Sequence, residues 1–124
     1  MSAKQAKAAF KATWTSVTVR EGNAGNMLAE VNMDGHAEGF GPFIGTMTVT
    51  PAGAQAGTWR WASICWLEAG GSLDITGNGR FESDRHMHFT STGILLDNLG
   101  RAMKLESTID LASKTWAGAV LVSE

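Results

Sequence analysis

Few residues in this chain have side chains suited to chemistry. There are three histidines, one cysteine, and carboxylates that cluster near turn-forming residues. His86-Met87-His88 is the most suggestive group, because histidines two apart on a strand point the same way and can share a metal ion. A metal site needs further ligands. No carboxylate follows His88 before Asp97, and the only other histidine is His36, fifty residues away. We expect no bound metal and read the pair as solvent-facing. Cys65 alternates in phase with Trp59 and Trp61, so it reads as a small buried apolar group rather than a nucleophile, which would need a base or cation beside it. Arg85 alternates with Met87 and Phe89, close to the start of a strand. A guanidinium at a barrel mouth there can orient a carbonyl or anionic group on a ligand, or reach out to water. Asp84 and Glu82 stand near it, and Asp34, His36 and Glu38 form a second polar cluster around a turn. Acid–base work needs such groups paired in a lumen or at its mouth. Gly77-Asn78-Gly79 lacks the rest of a nucleotide-binding fingerprint and reads as a hairpin turn.

The apolar residues form a larger constellation. Five tryptophans and six methionines are spread along the chain. Tryptophan supplies a broad apolar wall with one N–H donor, and methionine adapts to irregular shapes. The candidate contacts for a small hydrophobic ligand are Trp14, Met33, Met47, Trp59, Trp61, Cys65, Arg85, Met87, Phe89 and Met103. No catalytic residue is assigned among them.

These residues need elements to position them. Fifteen glycines, only two prolines, and frequent threonine, valine and tryptophan indicate short strands joined by turns. The spacing predicts strands over 10–20, 27–34, 43–50, 58–68, 73–76, 81–92, 101–109 and 115–122. Alternation separates Met27, Ala29, Val31 and Met33 from Glu30, Asn32 and Asp34, and Met103, Leu105 and Ile109 from Lys104, Glu106 and Thr108. The expected fold is all-β: one domain over 1–124, closing into an antiparallel barrel of about eight strands, with a possible short N-terminal helix before Phe10. A barrel of this size either fills with side chains or holds one small ligand.

The fourth predicted strand departs from simple alternation. Trp59, Trp61, Cys65 and Leu67 lie on one face, but Ile64 and Trp66 lie on the other. Apolar groups on an outer face call for a cover. A second subunit is the expected one, which makes the protein a homo-oligomer.

Composition narrows the partners. The net charge is -2 and the lysines and arginines are scattered, so no basic stripe exists to follow a nucleic-acid backbone. No apolar stretch has the length of a membrane span. The N-terminal residues lack a signal peptide's apolar run, and a lone cysteine suits a reducing compartment, so a cytoplasmic protein is expected.

Three segments carry a resemblance. They are Gly39-Phe40-Gly41-Pro42-Phe43-Ile44-Gly45-Thr46, the Gly-Thr-Trp strand at Gly57–Trp59, and Asp110-Leu-Ala-Ser-Lys-Thr-Trp116 before the closing strand. In this layout the chain resembles the small barrels related to allene oxide cyclase, including an uncharacterised bacterial branch. The resemblance implies a closed barrel with an apolar lumen, often oligomeric. It also implies cofactor-free cyclisation or isomerisation, achieved by holding a flexible apolar substrate in a reactive shape. A carrier or sensor using the same pocket, and a filled barrel acting as an interaction module, are the alternatives.

Overall fold

The computed structural model describes residues 5–123. They form β1 (Gln5–Glu21), β2 (Met27–Ala37), β3 (Gly41–Thr50), β4 (Ala56–Trp66), β5 (Ser72–Arg85), β6 (His88–Asp97), β7 (Ala102–Asp110) and β8 (Thr115–Ser123), with one 3-10 turn at Asn23–Gly25. Each strand pairs antiparallel with the next, and β1 pairs with β8 to close the barrel. The β1–β8 pairing covers Gln5–Thr13, and the distal part of β1, Ser16–Glu21, pairs with β2 alone. We call the end where Gln5 pairs with Ser123 the terminal end. The other, carrying the β1–β2, β3–β4, β5–β6 and β7–β8 connections, is the distal end. No helix among the described residues is long and apolar enough to cross a membrane.

Two expectations are corrected. Residues 5–10 are not helical but extend β1 along β8, because the strand pairing satisfies their backbone groups. Residues 1–4 lie outside the described residues. Gly77-Asn78-Gly79 is not a turn. It lies mid-strand in β5, which runs through two of the predicted strands, and the true reversal into β6 is at His86-Met87. The segment Gly93–Asp97, which the pattern left unassigned, belongs to β6.

These glycines serve the interior rather than a bend. A Cβ on Gly79 would fall on the Trp59 ring and on the Thr92 carbonyl, and one on Gly93 would also meet that ring. The indole of Trp59 therefore lies directly on two inward glycine backbones. Trp59, Trp116, Met47 and Leu105 are almost completely buried and plug the barrel's waist. Trp116 stands edge-on to Trp61 and to Phe10, each with ring centroids 4.8 Å apart, and to Trp59 at 6.1 Å. Such edge-to-face pairs suit the aromatic quadrupole. The polar atoms of the plug are paired: Trp59 Nε1 donates to Ser91 Oγ at 2.7 Å and Trp116 Nε1 to Ser107 Oγ at 2.9 Å.

Candidate functional site

The plug divides the lumen into two apolar cups. The terminal cup is lined by Phe10, Phe40, Phe43, Trp61, Cys65 and Met103, among others, and encloses about 50 Å³. The distal cup is larger, at about 140 Å³. Trp14, Val17, Ala29, Val31, Met33, Met47 and Val49 form one side of it. Phe81, Phe89, Ile109 and Leu111 form the other, and Ala52-Gly53-Ala54 of the β3–β4 loop lie at its mouth.

Backbone irregularities shape this cup. The pairing of β1 with β2 slips between Trp14 and Ser16, which inserts Thr15 as a bulge. A bulge changes which alternate residues face inward. Trp14 and Val17, of opposite parity, therefore both reach the cup. A second bulge between Ser83 and Arg85 does the reverse in β5. It pairs Arg85 with His88 on the outer face, removing Arg85 from the inward series that ends at Ser83.

The expected ligand contacts are thus distributed. Trp14, Met33, Met47 and Phe89 come together in the distal cup, while Trp61, Cys65 and Met103 line the terminal one. Trp59 lies between the two. Arg85 and Met87 belong to neither cup. Arg85 is exposed, 3.8 Å from Asp84, and Met87 occupies the β5–β6 turn with φ 58. A left-handed backbone there directs the side chain away from the strand's alternation. The candidate contacts leave out Ala29, which alternation places beside Val31 and Met33, and Ala52 and Ala54, whose small side chains leave the space that large neighbours only border.

Three carboxylates fix the connections. Asp84 Oδ1 is 2.6 Å from His88 Nδ1, and this hydrogen bond holds the Asp84 carboxyl below the ordinary aspartate range. Asp110 accepts from Ser113 N and Ala112 N, bonds that lower its pKa and hold the loop carrying Leu111. Leu111 N in turn donates to Met87 O at 3.0 Å, tying two distal connections together beside the cup. Asp97 does the same for the β6–β7 turn at the terminal end. Burial raises the pKa of the Cys65 thiol, so the thiolate is disfavoured.

His86 and His88 do not form a shared site with His36. His36 is at the terminal end, 3.2 Å from Glu68, and His88 is engaged by Asp84 at the distal end. Among the described residues no three histidine, cysteine or acidic side chains converge on a metal position. No protein-family model, curated protein or solved structure matches the chain.

Proposed function

We propose that the chain binds one small, mainly hydrophobic molecule in the distal cup, as a carrier or sensor. The cup's size carries this reading. Sealed cavities of about 150 Å³ with comparable apolar walls accept benzene, and the distal cup, open at its mouth, offers about 140 Å³. Its walls contain no carboxylate, imidazole, amine or thiol, so they hold a ligand without offering it an acid, a base or a nucleophile. The resemblance of the Gly39–Thr46, Gly57–Trp59 and Asp110–Trp116 segments to the allene oxide cyclase-related barrels fits this proposal. A cyclisation here would have to proceed by confinement of the substrate.

Methionine methyl resonances provide the test, because Met33 and Met47 line this cup and Met103 lines the other. Titration with toluene should shift the Met33 and Met47 methyl signals saturably and leave Met103 unchanged. An absence of saturable shifts up to the solubility limit of toluene would reject the reading. Ala52→Phe, from the loop at the mouth, should place a ring in the cup and weaken toluene binding at least about ten-fold, a change of roughly 1.4 kcal/mol.

The outer wall supports a second reading, self-association. Ile64 and Trp66 of β4 are 41% and 45% exposed, and Ile44 stands opposite Ile64 on β3. Asp34 pairs with Ile44 on one side and Asp74 with Ile64 on the other, so the apolar stripe has an acidic residue on each flank. Two copies meeting through this stripe bring like charges near one another. Dimerisation should therefore strengthen with salt. Light scattering at micromolar concentration should show a dimer that Trp66→Glu dissociates. An unchanged mass in that variant would exclude this face.

A further inference from the structure

The indole N–H of Trp14 is the only buried side-chain nitrogen or oxygen among the described residues that lacks a hydrogen-bond partner. The contrast with the plug is informative. Trp59 and Trp116 each have an inward serine within hydrogen-bond distance. Trp14 has none, although its ring forms part of the distal cup. A buried donor without an acceptor weakens the fold, because water would have paired with it in the unfolded chain. Protein interiors leave few such groups, and one at a binding site marks a place where an outside acceptor is favoured.

We propose that Trp14 is the polar recognition element of the cup, and that the ligand carries one neutral hydrogen-bond acceptor on an otherwise apolar body of about six to eight heavy atoms, as in a cyclic ketone, lactone or ether. This rests on the distal-cup reading above. The N–H is sealed from solvent while the indole stays in place. A ligand's oxygen reaches it when the ring turns about its side-chain torsions, exchanging an unpaired donor for a paired one. Trp14 lies next to the β1 bulge and is only partly buried, so its ring is less confined than Trp59 or Trp116. The ligand should be uncharged, because no cation or anion lines the cup to offset the cost of burying a charge.

Cyclohexanone and methylenecyclohexane form the test pair, being nearly the same shape and differing in whether the exocyclic atom accepts a hydrogen bond. In the unaltered protein, the Trp14 indole proton signal should move downfield on saturation with cyclohexanone and not with methylenecyclohexane. In Trp14→Phe, the preference for cyclohexanone over methylenecyclohexane should fall about five-fold, the smaller ring's effect on the cup wall being common to both compounds. The indole signal is read on the unaltered chain, so the proposal is tested even if the variant folds poorly. If both compounds bind and neither moves the indole proton differently, the recognition role of Trp14 is wrong and the cup reading stands. If neither compound binds the unaltered protein, the cup reading fails and this inference fails with it.

Discussion

Trp59→Ala is expected to cost about 3–5 kcal/mol of folding stability, the range for deleting a large core aromatic. Trp59 is almost fully buried, and its ring rests on Gly79 and Gly93. Those positions have no side chains that could swing into the vacated space, so the cavity would persist. The variant also strands the Ser91 hydroxyl, which accepts the Trp59 N–H. Trp66→Ala removes the same side chain from the outer face, where it is 45% exposed, and should cost about 1 kcal/mol or less at a protein concentration where the chain is monomeric. The complementary change, Gly79→Ala, forces a methyl group against both the Trp59 ring and the Thr92 backbone, and should destabilise by about 1–3 kcal/mol. Urea denaturation reads all three as shifts in midpoint at constant slope. Equal losses for Trp59→Ala and Trp66→Ala would contradict a waist plugged by Trp59.

The alternation of polar and apolar residues made the barrel legible. Val31 and Met33 against Asn32 and Asp34, or Met103 and Leu105 against Lys104 and Glu106, follow the period of two of a sheet with one wet face, and the structure has them buried and exposed accordingly. Glycine was harder to interpret. Beside Asn78, two glycines match the chemistry of a tight turn, and only the tertiary position of the Trp59 ring gives Gly79 its actual purpose. Local composition cannot separate a glycine needed for backbone freedom from one needed because another residue's ring occupies the place of its side chain.

The lining of the candidate cup was legible in part, for a related reason. Large apolar residues identify walls, and Trp14, Met33, Met47 and Phe89 do belong to one. The empty space is set by what is small, namely Ala29, Ala52 and Ala54, and by two bulges that leave little trace in the alternation. Arg85 illustrates the second point. Strict parity from Phe89 and Met87 back to Arg85 points it inward, but the turn at Met87 and the bulge before Arg85 break that count.

The other large effect is expected at Asp97, whose side chain is 0% exposed. It accepts hydrogen bonds from Leu99 N at 2.9 Å, Arg101 N at 3.0 Å and Arg101 Nε at 2.7 Å. Burial pushes its carboxyl up, but the bonds from Arg101 and Leu99 outweigh that and hold its pKa below the ordinary value. Because the folded pKa lies below the unfolded one, the carboxylate contributes its full stability above about pH 4 and loses it as the pH falls through the folded value. Asp84 and Asp110, also lowered, add losses of the same sign at the distal rim. Arg101 is half exposed, so solvent screens its charge, and its backbone N–H lowers the Asp97 pKa more than its guanidinium bond does. Asp97→Asn keeps the shape and removes the charge. It should lower stability at pH 7 by about 1–3 kcal/mol, with the gap to the unaltered protein narrowing steadily below about pH 4. Urea midpoints measured from pH 7 to pH 2.5 would show this convergence. A gap that stays constant through the acid limb would mean that the ionised carboxylate is not what holds the β6–β7 turn.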